Sequence, residues 1–235
     1  MKYLKENKGL VDADSGEDAV TSSKLLEQQL FEFERQIQML PPGYDPLERA
    51  ELEIRIGSIL IDLGRGEEAF EIAREAFDRF VSIEAWEGAV QACDVMYRAD
   101  NEQSLMALGQ GVWLAVTFPI DPELTVAMLE HIVDETPPDS DGAAVAATVA
   151  HYIADVRAAG KKREELTLFT NNLLATVARR HSDVTKQEEF SYWFEKLELN
   201  DPDKFLPRLR NIIDVLVQED WWVDRESIWA KLASN

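Results

Sequence analysis

The chain has 235 residues and carries 24 lysines and arginines against 45 aspartates and glutamates, a formal net charge of −21 with neutral histidines. A surface this acidic repels phosphate groups, which excludes sequence-independent nucleic-acid binding and argues against docking on anionic lipid. Because 46% of the residues are hydrophobic, the chain can bury a substantial core, and one or two folded domains are expected.

The single cysteine and the lack of long apolar runs bear on the compartment. Cys93 cannot form an internal disulfide, and its apolar helical context predicts a buried side chain. Residues 1–8 lack the apolar run of a secretory signal, and no stretch approaches the ~18 apolar residues of a transmembrane helix. We therefore expect a cytoplasmic protein that does not bind membranes.

The chain begins with a polar, acidic stretch and continues with apolar residues at helical spacing. Residues 1–20 predict a flexible acidic leader. A helix is expected after the candidate N-cap at residues 21–23, and it ends at the Pro-Pro-Gly of residues 41–43. Four further helices are then predicted: one from Pro46 that stops at Gly64, one that starts at Glu67 and carries an apolar face to Phe80, and two at about 84–98 and 102–116.

Helical spacing continues after a break at residues 118–122, where Asp121 and Pro122 are a candidate N-cap and first helical residue. One later helix repeats alanine at spacings of 3 or 4, at Ala143, Ala147, Ala150, Ala154 and Ala158. Such spacing predicts a tight contact with a neighbouring helix. No stretch alternates apolar and polar residues as a strand would.

We therefore predict an all-α fold of about ten helices in antiparallel pairs. Residues 21–116 form a first helical region and residues 117–235 a C-terminal helical region, which is either separate from the first or continuous with it as one domain.

Small residues in the first region follow the pattern of a known repeat. Gly57, Ala69, Ala73 and Ala76 are separated by 12, 4 and 3 residues. This pattern resembles the tetratricopeptide repeat, in which small residues let helix A and helix B pack face to face. The resemblance implies a right-handed solenoid of helix pairs, and an unrelated helical bundle is the alternative.

A second, degenerate copy of the pattern starts 35 residues later. The shift places small residues at three of the four template positions, Ala92, Ser104 and Gly111, so the resemblance covers residues 48–116. The chain departs from the family at Glu53, which stands where the repeat has an early aromatic residue.

The resemblance also implies a ligand-facing surface on the inner face of helix A. Carried over by position, this surface comprises Glu51, Ile54, Ser58, Ile61 and Asp62. The carboxylate-clamp members of the family need Lys, Arg and Asn at this surface to capture an acidic peptide end. Acids and aliphatic residues stand here instead, which predicts a partner segment that is basic or apolar.

Tryptophans near the end of the chain form a second candidate binding surface. Trp221 and Trp222 are adjacent, and neighbours on a helix diverge by ~100°. We therefore expect one of them to pack on Trp193 or Leu216 and the other to be partly exposed, together with Trp229, as interaction anchors. The alternative is that both are covered when the C-terminal helix packs back on the bundle.

Two histidine–carboxylate pairs raise the question of a metal site. His131 precedes Glu135 by four residues, and His151 precedes Asp155 by four. If their helices form a hairpin, the two histidines are offset by roughly 8 Å along the helix axis, too far apart to share one metal ion. We therefore predict that each histidine pairs with the carboxylate of its own helix on the solvent side. No phosphate loop, serine elbow or zinc cysteine pair is present. We expect no cofactor or metal and no catalytic activity.

Residues 135–139, Glu-Thr-Pro-Pro-Asp, lie between two predicted helices. This segment resembles the Glu-x-Pro-x-Asp-His segment of the dedicated chaperones for molybdenum oxidoreductases, although Ser140 or Asp141 stands in place of the histidine. The resemblance implies a chaperone that serves one metalloenzyme.

The main functional prediction is a non-catalytic interaction module, an adaptor or assembly factor that binds a basic or apolar protein segment. The alternatives are a dedicated chaperone for maturation of a metalloenzyme subunit, a small helical metal-dependent enzyme and a structural subunit of a larger complex. The net charge makes self-association of acidic faces costly, but a homodimer through the alanine-rich or tryptophan-bearing surfaces stays compatible with it.

Overall fold

A computed structural model describes residues 1–4 and 16–234 of the chain, with the backbone alone for residues 16–21. The described residues form eleven α-helices and contain no strand, which confirms the all-α prediction. They divide into two compact units. The first unit comprises residues 16–114 with 216–234, and the second comprises 1–4 with 115–215, so the last helix belongs with the N-terminal helices.

The first unit is built on short-looped helices that pack on their neighbours in sequence. Its helices are α1 (Gly16–Gln38), α2 (Pro46–Asp62), α3 (Gly66–Ser82), α4 (Trp86–Arg98), α5 (Ser104–Thr117, of which residues 104–114 belong to this unit) and α11 (Arg225–Ala233). Helix α2 packs on α1, α3 and α4, and α3 packs on α4. Loops of three residues join α2 to α3 and α3 to α4, so successive helices are antiparallel.

Local chemistry explains where α2 begins and ends. The Asp45 carboxylate accepts a hydrogen bond from the Leu47 amide at 2.9 Å, and Pro46 is the first helical residue. Gly64 follows the helix with a φ of +72°, a conformation that glycine adopts without steric cost. Helix α1 begins at Gly16, five residues before the first residue of the predicted N-cap.

The small residues of the repeat-like pattern lie where helices approach closely. Ala69, Ala73 and Ala76 have no exposed surface. A Cβ atom at Gly57 would lie 2.9 Å from a methyl group of Val95 on α4, so only glycine fits without a shift. The burial of these residues agrees with the close packing that the pattern predicts, and the repeat type stays a prediction.

The second unit contains the alanine-rich helix. Its helices are α6 (Pro122–Glu135), α7 (Asp141–Arg157), α8 (Gly160–Ser182), α9 (Gln187–Lys196) and α10 (Pro202–Val217, of which residues 202–215 belong to this unit). Helix α7 packs on α6 and α8, and the four alanines of the pattern that lie within α7 have no exposed surface. The fifth, Ala158, follows the helix end. Asp121 and Pro122 begin α6 as predicted, with the Asp121 carboxylate accepting from the Glu123 amide.

The first residues of the chain contact α6. The amides of Tyr3 and Leu4 donate to the buried Glu123 carboxylate at 2.7 and 3.4 Å, and the Leu4 side chain is buried. This packing differs from the flexible leader predicted for residues 1–20, because a carboxylate buried at the start of α6 requires hydrogen-bond donors. Residues 5–15 of that predicted leader lie outside the described part of the chain.

Two further sequence-based expectations concern Cys93 and membrane helices. Cys93 is buried as predicted, and burial raises the pKa of its thiol far above the ordinary value. None of the helices in the described part of the chain combines the length and apolar content needed to cross a membrane.

Candidate functional site

Helices α2 and α4 each present a polar stripe, and contacts at both ends bring the two stripes together. Near the helix starts, Glu51 of α2 and Glu87 of α4 line one cavity. Near the helix ends, the Arg98 guanidinium of α4 lies 3.7 Å from the Asp62 carboxylate of α2. We call this surface the α2–α4 groove and define it by seven residues: Glu51, Ser58, Asp62, Glu87, Gln91, Asp94 and Arg98.

The cavity at the helix starts has an apolar floor and an acidic rim. Its volume is about 310 Å³, with Glu51, Glu87 and Gln91 among the polar lining residues. The remaining lining residues are Leu47, Phe80, Ala85, Trp86 and Gly88. A Cβ atom at position 88 would lie 2.3 Å from the Phe80 ring, so glycine allows this aromatic side chain to pack under α4.

Charge is distributed unevenly along the α2–α4 groove. Its four carboxylates and one guanidinium give a formal charge of −3. The guanidinium of Arg98 lies at the far end, 3.7 Å from both Asp62 and Asp94. Glu51 is exposed and has no ion pair with any residue that the structure describes. The two carboxylates at the end with the aromatic floor, Glu51 and Glu87, therefore lie away from the one guanidinium of the groove.

A second cavity of about 550 Å³ lies between α1 and α2 and shares Glu51 with the first. Its charged residues are two arginines, Arg35 and Arg55, and two glutamates, Glu48 and Glu51. The charges cancel, so this cavity has no net preference for a cationic or an anionic ligand.

The five residues predicted on the ligand-facing surface of helix A differ in how exposed they are. Glu51 and Asp62 are exposed, and Ser58 and Ile61 are half-buried. Ile54 is 9% exposed, which leaves little of its side chain accessible to a ligand, and its place on a ligand-facing surface stays a prediction. Helix α2 packs on α1, α3 and α4, which together cover part of its surface. The Ser58 hydroxyl donates to the Ile54 carbonyl at 3.0 Å.

The sequence analysis missed the contribution of α4 to this groove. A signal was nevertheless present in the 35-residue shift between the two repeat-like segments. Applied to Glu51, the shift gives Trp86, which lines the same cavity as Glu51. Glu87 and Gln91 follow within little more than one turn.

The predicted C-terminal tryptophans contact the first unit's own helices. Trp221 meets Trp113 of α5 edge to face, with ring centroids 5.7 Å apart, and Trp229 meets the same ring at 6.1 Å. Trp222 meets Phe77 of α3 at 5.7 Å. Trp221 and Trp222 are partly exposed, and Trp229 is 51% exposed.

Two guanidiniums cover this aromatic cluster. The Arg225 guanidinium lies 4.0 Å from the Trp221 ring centroid, and that of Arg74 lies 4.3 Å from the Trp222 centroid. Both distances are in the range of cation–π attraction. The rings therefore already have cationic partners within the chain.

The expected local structure of the tryptophan pair was wrong. Trp221 and Trp222 lie in the loop between α10 and α11, so the divergence of helical neighbours does not apply to them. Their ring contacts are with Trp113 and Phe77.

A buried amide holds this loop in place. The Gln110 side chain of α5 has no exposed surface, and its Nε2 donates to the Asp220 carbonyl at 2.8 Å. The Trp222 amide donates to Gln110 Oε1 at 3.3 Å. The available signal in the sequence was the lone side-chain amide of Gln110 within the otherwise apolar residues 105–116 of α5.

Two of the three histidines, His151 and His181, contact other helices. His151 is half-buried, with Nδ1 3.0 Å from the Thr170 hydroxyl of α8, and burial lowers its pKa. The Trp193 indole donates to Nδ1 of His181 at 3.1 Å, and Nε2 of His181 lies 3.2 Å from Asp141. Among the described residues, no three His, Cys, Asp or Glu side chains are grouped as a metal site requires.

Comparison of the chain with protein-family models, with curated proteins and with solved structures finds no match.

Proposed function

We propose that this protein is a non-catalytic adaptor or assembly factor that binds a basic, partly apolar segment of another protein in the α2–α4 groove. The observation that carries the proposal is the combination of a −3 groove with an aromatic floor at one end. An acidic groove attracts lysine and arginine and repels acidic segments, which gives specificity and faster association.

The length of the groove sets the size of the bound segment. Eleven residues separate Glu51 from Asp62, which corresponds to about 16 Å at a rise of ~1.5 Å per helical residue. An extended peptide rises ~3.3 Å per residue, so about five residues span the groove. A short linear segment fits this surface better than a whole folded domain.

The aromatic cluster around Trp113 supports the proposal less directly. Its exposed member, Trp229, is half-covered by contacts within the chain. We propose it as a secondary contact surface, with Trp221 and Trp222 as its supports. Action in the cytoplasm accords with a single, buried cysteine, because thiols stay reduced there.

Site-specific photo-crosslinking in the native host tests the proposal. A photoreactive amino acid is placed at Ser58 in the groove or, as control, at the exposed Glu71 of α3. We expect crosslinks from position 58 to one short segment that carries lysine or arginine among apolar residues. Double substitution Glu51→Lys with Glu87→Lys should abolish these crosslinks. An acidic crosslinked segment, or equal crosslinking from both positions, would contradict the proposal.

A further inference from the structure

We propose that the cavity at the start of the α2–α4 groove is a specificity pocket for one arginine or lysine side chain of the bound segment. In this pocket, Glu51 pairs with the cationic head group. The inference rests on the proposed function, since it names the side chain that the groove selects.

The first argument is the chemistry of the pocket walls. Leu47, Phe80 and Trp86 form apolar walls, and the carboxylates of Glu51 and Glu87 stand at the rim. Arginine and lysine have this same division, because their aliphatic stems pack on apolar surface while the charged heads reach polar groups.

The second argument is the volume. At about 310 Å³, the cavity lies at the lower end of the range for ligand pockets in proteins. It therefore suits one side chain, and the neighbouring residues of the bound segment would lie along the remainder of the groove.

Arg55, Arg79 and Arg98 have other partners within the chain. Arg55 follows Glu51 by one turn, but its guanidinium lies over the Phe33 ring at 5.8 Å. Arg79 pairs with Glu53 at 2.9 Å, and Arg98 lies at the opposite end of the groove beside Asp62 and Asp94. A cation from a partner would therefore compensate the charge at Glu51.

Other side chains fit this pocket less well. An aspartate or glutamate would be repelled by the rim. An uncharged apolar side chain would reduce the hydration of Glu51 without supplying a hydrogen-bond donor, which costs free energy. Arginine and lysine both compensate the charge and cover the aromatic floor.

Peptide binding by calorimetry tests this inference on the full chain. The probes are capped pentapeptides with leucine and alanine flanking a central arginine, lysine or citrulline. Citrulline has nearly the shape of arginine without its charge. We expect the wild type to bind the arginine and lysine peptides ~2–5-fold more tightly than the citrulline peptide, from one exposed ion pair.

Two charge-matched variants locate the effect. Glu51→Gln should remove most of the preference for the cationic peptides. Glu71→Gln is an equal charge change at an exposed position of α3 that does not line the pocket, and it should leave the preference within about twofold because exposed charges are screened by solvent and salt. Because both residues are exposed, both variants should fold, and circular dichroism checks this.

The outcomes separate the pocket from the groove. Equal binding of the charged and citrulline peptides, or equal effects of the two variants, would overturn the pocket while the groove remained a peptide site. If no pentapeptide binds the wild type at millimolar concentration, both the pocket and the proposed function of the groove are wrong.

Discussion

The buried carboxylate of Glu53 is expected to stabilise the packing of α2 on α3. Glu53 is 1% exposed, and its two oxygens accept hydrogen bonds from two guanidiniums. Nε of Arg49 lies 2.8 Å from Oε1, and Nε of Arg79 lies 2.9 Å from Oε2. These bonds raise the pKa of both arginines above the ordinary value. Substitution Glu53→Gln keeps the shape of the side chain and removes its charge.

The expected cost follows from the two charged hydrogen bonds and from desolvation. Each bond to a charged group contributes about 1.5–3 kcal/mol, and breaking a buried ion pair typically costs about 3–5 kcal/mol. The arginine side chains are 30% and 29% exposed, so water can solvate them again after the substitution. The neutral amide also costs less free energy to bury than the carboxylate, which offsets part of the loss. We therefore expect Glu53→Gln to lower the free energy of unfolding by about 2–3 kcal/mol.

Thermal unfolding followed by circular dichroism measures this effect. A loss of this size lowers the melting temperature by about 4–12 °C in a chain of this length. The control is Glu48→Gln, an exposed position on the same helix, where a change below about 0.5 kcal/mol is expected. A double-mutant cycle with Arg79→Gln should give a coupling of at least ~1 kcal/mol. Unchanged stability in Glu53→Gln, or a coupling near zero, would refute the reasoning.

Two further predictions concern buried polar side chains outside the groove. Gln110→Leu should leave the Asp220 carbonyl and the Trp222 backbone amide without these partners, which lowers the free energy of unfolding by about 1–3 kcal/mol. Hydrogen exchange at the Trp222 backbone amide should become faster. Unchanged exchange there would show that the Gln110 side chain does not hold the loop. Burial of His151, partly offset by Asp155, lowers its pKa, so the unfolded state binds more protons than the folded state. The contribution of neutral His151 to the free energy of unfolding is therefore fully present above about pH 6.5, the ordinary pKa of histidine. It is lost as the pH falls through the lower pKa of the folded state. Urea unfolding at about pH 7.5 and about pH 5.5 should show a smaller pH dependence in His151→Gln than in the wild type, and equal dependences would contradict this assignment.

Sequence alone was sufficient for features that depend on near neighbours along the chain. The apolar spacing predicted the all-α fold, and Asp121 with Pro122 predicted the start of α6. These features depend on side chains within one or two helical turns, which a periodic pattern records directly.

Tertiary structure decided the features that depend on residues far apart in the chain. Glu53 departs from the tetratricopeptide pattern, and its role becomes visible only with Arg79, 26 residues away, beside it. Ile54 matches the ligand-facing pattern but is buried, because α2 is packed on three neighbouring helices. The loop that carries Trp221 and Trp222 is held by Gln110, more than a hundred residues earlier.

The acidic charge shows the same division between sequence and structure. Composition alone supplied the sign of the charge and argued against nucleic acid and anionic lipid as partners. Only the packing of α2 on α4 brings Glu51 and Glu87 to one aromatic-floored cavity. The physical reason is that a helical pattern specifies which face is exposed, whereas the neighbour of that face depends on how the helices pack.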